Sequence, residues 1–332
     1  MWRRRKHARL PTPKIGPLTP WMYGMHPLIV ALALVTAAPA TAHVRAAEPD
    51  PMAGLQSLLA RGAGATTEFY GSASTDLSRQ VRLSNGRRTY IGSGMELRGT
   101  GKVKLGRAGV IASEHVRRLS IGNKQLVVDE AAKDPYFAGV LRTVGTLRTV
   151  SVGGWQYQLA PRAKAWTRTG RASGAAAAYG DQFVNVLEPA TLRTLLSTKS
   201  RKSVAPWARD RTTGRRQRIY TLTGTITLKE LYRVSPSFRE AAGTSHLGTS
   251  EVTWTYMYDD RGWPYRVGWR FYAHPRPKVP GLGEDRILRA YLATQYRSWD
   301  KPMAITAPRV TPGRGLEVDD LSDVLSAPAR RR

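Results

Sequence analysis

Apolar and polar positions along most of this chain alternate with a period of two, the pattern of strands with one buried face. The clearest run is Tyr220-Thr221-Leu222-Thr223-Gly224-Thr225-Ile226-Thr227-Leu228. Its apolar residues fall on one side and its threonines on the other, and β-branched residues favour strand. Val252, Trp254, Tyr256 and Tyr258 share a face in the same way, as do Val267, Trp269 and Phe271. Between those two runs Asp259-Asp260-Arg261-Gly262-Trp263-Pro264 has turn chemistry, which predicts an antiparallel hairpin. Shorter alternating runs predict strands over 68–72, 80–83, 101–105, 116–121, 146–152, 155–159 and 289–297, with Gly153-Gly154 as a tight turn.

Helical patterning is sparse. Met52–Leu59 predicts a short helix ended by Gly62 and Gly64. Pro189–Ser197 predicts a second, with proline in its first turn and Glu188 near its start. Asp134–Val140 and Ser235–Ala242 are further candidates, while 168–182 and 200–218, rich in Gly, Ala and Arg, are expected to be loops or insertions. Nothing is periodic from Pro308 to Arg332, so a disordered tail is expected there. Short strands joined by hairpin-length turns predict an α+β fold built on a single antiparallel sheet rather than βαβ layers.

The first 47 residues have a different character. A basic head, an apolar stretch from Leu28 to Ala38 and a small-residue exit follow in the order of an export signal. Ala40-Thr41-Ala42 is an A-x-A site, placing cleavage between Ala42 and His43, with Ala46 or Ala47 as alternatives. The arginines near the start also suggest a twin-arginine signal, although Lys6-His7-Ala8 fits that poorly. An uncleaved anchor is the other reading. Its apolar core of about 15 residues is short of the roughly 20 a spanning helix needs. The expected organisation is an export signal over 1–47, one domain over 48–312 and a basic tail over 313–332, in a protein that is secreted or held in the cell envelope.

Composition narrows the chemistry. The chain has no cysteine, which excludes disulfides, thiolate catalysis, Cys-ligated zinc and lipid attachment at a cysteine. Its formal net charge is +28 over 332 residues, a field that draws anionic membrane, wall polymer or nucleic acid, unless it is a solvated basic surface and nothing more. An export leader argues against nucleic acid. No pair among His115, His246 and His274 has metal-ligand spacing. Gly243-Thr244-Ser245-His246-Leu247 lacks the second glycine of a nucleophile elbow. Gly99-Thr100-Gly101-Lys102 lacks the earlier glycine of a phosphate loop, so in a strand it marks a bend or bulge. Asp259-Asp260 is ordinary turn chemistry. These absences point to a protein that is not an enzyme and needs no cofactor or metal.

Nine Trp and 14 Tyr stand against five Phe, and several share the inner-reading face of the predicted hairpin. They either pack a core under helices or line a groove for an apolar ligand. Leu222, Ile226, Trp254, Tyr256, Trp269 and Phe271 are the candidates for that face.

The order of these elements resembles the LolA-like exported lipid-handling proteins, including the LppX/LprG group of actinobacterial lipoproteins. Four passages carry the resemblance: Lys124–Glu130; Trp155-Gln156-Tyr157 through Trp166; Asn185–Pro189 with Leu192, Leu195 and Leu196; and Tyr258–Pro264 followed by Thr294–Pro302 and Ile305–Pro308. The resemblance implies a strongly curved antiparallel sheet, an open half-barrel with a few helices covering its concave face, which takes up a lipid or acyl chain. Related sheets serve as sensors of membrane proteins, so an envelope protein–protein interaction module with a self-filled cavity is the alternative. Without the lipidated cysteine, this chain would be a released, non-lipidated relative.

Overall fold

The computed structural model describes residues 48–310 except 83–87, 123–127, 129–140, 143, 210–215, 243–249, 274–287 and 300, with backbone alone at 75–82, 88–93, 205–209, 273 and 288–289. The proposed cleavage site at Ala42 and His43, the Asp134–Val140 helix, most of Lys124–Glu130 and the segment 311–332 lie outside the described residues.

Eleven strands form one sheet: β1 (Gly64–Arg82), β2 (Arg88–Gly106), β3 (Gly109–Ile121), β4 (Gly145–Val152), β5 (Trp155–Leu159), β6 (Thr167–Arg171), β7 (Lys199–Arg209), β8 (Arg216–Thr227), β9 (Glu251–Tyr258), β10 (Pro264–Ala273) and β11 (Leu288–Arg297). Their spatial order is β6-β5-β4-β3-β2-β1-β11-β10-β9-β8-β7, and every named pair is antiparallel. Two meanders, β1 to β6 and β7 to β11, therefore meet at the β1–β11 seam, where Thr67 lies opposite Tyr296 and Phe69 opposite Thr294. Among the described residues β6 and β7 do not pair with each other, so the curved sheet stays open. This is the single antiparallel α+β sheet that the alternation predicts, in the open, curved form that the resemblance implies.

Five described helices lie against the buried, concave face: α1 (Pro51–Ala60), α2 (Ala176–Tyr179), α3 (Pro189–Ser197), α4 (Leu228–Val234) and α5 (Pro236–Ala242). Asp50 caps α1 by accepting from the Met52 amide at 2.8 Å, and Pro51 occupies the first turn, where its missing N–H costs nothing. α1 packs on α3, α2 packs on β3, β4 and α5, and α3 packs on β8 and α4. The core these layers enclose runs from Leu55 and Leu58 through Phe183, Val184 and Leu187 to the inward side chains of β8 to β11.

The hairpin turn at 259–264 is present. Buried Asp259 accepts from the backbone amides of Arg261 (3.0 Å) and Trp263 (2.9 Å), while its backbone amide donates to the Trp263 carbonyl. Gly153 and Gly154, at φ 61° and 78°, form the left-handed pair that a two-residue hairpin between β4 and β5 requires.

Four expectations are corrected. The described parts of 168–182 and 200–218 are not simply loops: they supply most of β6, α2, most of β7 and the start of β8. Both strands that end the sheet carry arginines, where charge suits an exposed edge and hides the alternation. The Gly/Ala run at 174–178 stays small because it lies directly on β3, where a Cβ at Gly174 would fall 2.1 Å from the Ile111 carbonyl carbon. The separate strands expected at 68–72 and 80–83 are one strand, irregular between Thr75 and Arg79. Leu228 leaves the alternating run to start α4, because the Thr227 hydroxyl accepts from the Glu230 amide (3.1 Å), as an N-cap does. The start of the expected disordered tail is paired, through a parallel bridge between Val310 and Trp166.

Candidate functional site

The strand register brings the six candidate residues onto one wall. Trp254 lies directly opposite Trp269, Leu222 opposite Tyr256, and both Ile226 and Phe271 opposite Val252. All six face the concave side and are between 0% and 3% exposed.

The chain's own aromatic residues lie over this wall. Phe183, in the segment between α2 and α3, stacks on Trp269 with ring centroids 4.4 Å apart, and Phe238 of α5 meets Phe183 edge-on at 5.3 Å. Tyr220, Tyr258 and Tyr256 continue the aromatic surface towards the turn end, at 5.2 and 5.6 Å. The Tyr179 and Tyr296 hydroxyls lie 2.9 Å apart. Burial raises the pKa of Tyr179, Tyr256 and Tyr296 above the usual phenol range and that of Tyr258 to about 12, so all four stay neutral.

Three polar atoms on the wall are buried without a hydrogen-bond partner within the protein: Trp254 Nε1, Trp269 Nε1 and Tyr256 Oη. Leaving a buried donor unmade costs about 1–3 kcal/mol, so a core evolved only for dry packing would rarely collect three together.

The other half of the concave face is polar, which the sequence reading missed. On β3 and β4 the inward positions include the buried Ser113, His115, Arg117, Thr149 and Ser151, with buried Leu147 opposite Arg117, and Gln156 and Gln158 continue the rows on β5. The Arg117 guanidinium donates to both carboxylate oxygens of Asp181, at 2.8 and 2.6 Å. Gln182 donates to Thr294 Oγ1 at 2.8 Å, and Ser113 donates to the Gly174 carbonyl. Asp181, Gln182 and Gly174 belong to the segment expected to be an insertion; it is the cover of this half.

His115 is 8% exposed, stacked on Phe69 (4.6 Å, 13°), with Nε2 3.2 Å from Thr67 Oγ1. Burial lowers its pKa from 6.5 to about 4, against the raising effect of Asp181, so the ring is neutral at pH 7. The signal for this pair was the Gly99-x-Gly101 spacing. A Cβ at Gly99 would fall 2.2 Å from the Phe69 ring, and one at Gly101 1.9 Å from the His115 ring. These glycines mark a close approach of rings rather than the expected bend or bulge, since the register with β1 and β3 runs through them unbroken.

A third buried charge organises the cover. The Glu188 carboxylate accepts from Thr191 Oγ1 (2.9 Å), Ser235 Oγ (2.6 Å) and the Ser237 amide (2.8 Å), tying α3 to the junction of α4 and α5. The Asp181 and Glu188 carboxylates thus each tie a covering segment to its neighbours. Among the described residues no group of three or more His, Asp or Glu is placed to hold a metal ion.

Fold and site together define an α+β protein whose open, curved antiparallel sheet carries one aromatic and one polar half on its helix-covered side. No family model and no curated protein matches the chain. Among solved structures it is similar to a beta-barrel-like protein of a domain of unknown function, DUF1849, from Brucella abortus. The two are 10% identical, and the match covers 70% of this chain and 98% of that chain at a TM-score of 0.20, too low to carry an argument about either fold or ligand.

Proposed function

We propose that the protein is a non-enzymatic, extracytoplasmic carrier or sensor of an amphiphile, LolA-like in its mode of holding an acyl chain against the concave face. The observation that supports this is the set of unpartnered donors on the aromatic wall: Trp254 Nε1, Trp269 Nε1 and Tyr256 Oη. An ester or carboxyl group offers acceptors to such donors. Each methylene of the attached chain that leaves water contributes about 0.8 kcal/mol, so no ionic group is needed for affinity. In this reading the ligand takes the place of the Phe183 ring on Trp269, and the segment between α2 and α3 shifts to admit it.

The test is mass spectrometry of lipid released by denaturing the protein purified from cells that export it, together with displacement of a fluorescent fatty acid. Co-purified lipid and displacement support the proposal; finding neither rejects it. A second reading is favoured by Phe183 itself. Stacked on Trp269, it fills the aromatic half from within, as in an envelope interaction module that recognises a membrane protein through its surface. Retention of a specific membrane protein by lipid-free material would favour this second reading.

A further inference from the structure

The convex face has its own pattern, fixed by the same register. On β1, β10 and β11 the outward positions include Tyr70, Tyr272 and Tyr291, with Tyr70 40% and Tyr272 54% exposed. Arginines interleave with these rings. Arg98 lies over Tyr70 at 5.3 Å, Arg270 over Tyr291 at 5.6 Å, and Arg266 donates to the Tyr291 hydroxyl at 3.0 Å. Three acids on this face are already engaged, Glu68 with Arg297, Glu96 with Arg98 and Glu114 with Lys102, and Glu251 at the start of β9 is exposed without a cation partner among the described residues. Arg118, Arg148, Arg266 and Arg270 are exposed and have no carboxylate partner among the described residues.

We propose that this convex face docks on an anionic lipid bilayer. The uncompensated arginines are distributed from β4 to β10, six adjacent strands spanning about 24 Å at the usual strand spacing. A convex sheet offers no groove, so a single linear polyanion would touch one row of these charges at a time. A headgroup layer meets many of them together, and exposed phenol rings between the charges suit the depth at which tyrosine settles in a bilayer interface. The overall charge of +28 has the sign that anionic lipid attracts. The inference does not depend on what the concave face holds.

The experiment uses the full chain with vesicles of phosphatidylcholine, alone or with 30% phosphatidylglycerol as a chosen composition. Partitioning to the anionic vesicles is expected in about 0.1 M salt, with most of it lost at about 0.5 M. Arg266→Gln with Arg270→Gln should weaken it by about 30-fold, from the usual contribution of two bases near an anionic surface. Arg193→Gln with Lys229→Gln removes the same charge from α3 and α4 on the opposite side and should change it by less than about threefold. Because the chain has no cysteine, an environment-sensitive fluorophore can be placed at Ser72→Cys on the convex face or at Ser197→Cys on α3. The dye at 72 should blue-shift with anionic vesicles and the dye at 197 should not, and this readout does not depend on any contribution from the N-terminal leader. Equal losses in the two charge variants, or a blue shift at 197 alone, would overturn the proposal. So would capture by a soluble polyphosphate when vesicles fail to bind.

Discussion

Lowering the pH from 7 to 4.5 protonates His115 in the unfolded chain but largely not in the folded one, because burial holds its folded pKa at about 4 against 6.5 in the open chain. Between those two values the unfolded state binds more protons, so stability falls as pH falls through that window and levels off below it. The groups facing the ring are Thr67, Phe69 and the Arg117–Asp181 pair, and none offers the imidazolium a direct hydrogen-bond acceptor with full charge. A shift of this size corresponds to about 3 kcal/mol in full, of which about 2 kcal/mol is lost by pH 4.5. The assay is urea unfolding followed by tryptophan fluorescence at several pH values, for the native chain and for His115→Gln. Glutamine can keep an amide near Thr67 and does not titrate. It will lower stability at pH 7 by its own packing defect, but the slope against pH should flatten by about 2 kcal/mol, since the carboxylates common to both proteins cancel. Parallel curves for the two proteins would refute the reasoning, because they would mean His115 takes up its proton in the folded state as readily as in water.

Three further outcomes are expected. Asp181→Ala, which takes this carboxylate from the buried Arg117 guanidinium, should cost about 3–5 kcal/mol in urea unfolding, and the double variant with Arg117→Ala should cost clearly less than the two single changes together. Gly101→Ala, whose Cβ would fall 1.9 Å from the His115 ring, should cost about 1–3 kcal/mol and reduce the pH dependence described above, as the ring is pushed from its site. Glu188→Ala removes the acceptor of three hydrogen bonds at the junction of α3, α4 and α5 and should cost about 3 kcal/mol; hydrogen exchange should quicken first in α5, whose Ser237 amide loses its partner.

The alternation of Tyr220–Thr227, Val252–Tyr258 and Val267–Phe271 determined three strands and their buried face, because a period of two can satisfy only a pleated backbone with one side dry. The same pattern put Leu222, Ile226, Trp254, Tyr256, Trp269 and Phe271 on that face, where the structure has them. Local turn chemistry fixed the 259–264 hairpin and the Gly153-Gly154 turn, and proline in the first turn, preceded by Glu188, fixed the start of α3. What the sequence left open is everything set by register between distant strands. Ser113, His115 and Arg117 also alternate, but as polar residues they give no sign of facing inward; pairing with Gly101 and Gly99 on β2 turns them to the concave side. Asp181 and Gln182, in a stretch that looks like a loop, become a part-buried and a buried partner only because the crossing segment returns over β3. The β1–β11 seam joins residues more than 200 positions apart, and no local pattern records a pairing at that range. Periodicity reports which side of a strand can be dry; which polar residues are buried with it depends on the neighbours that the fold brings.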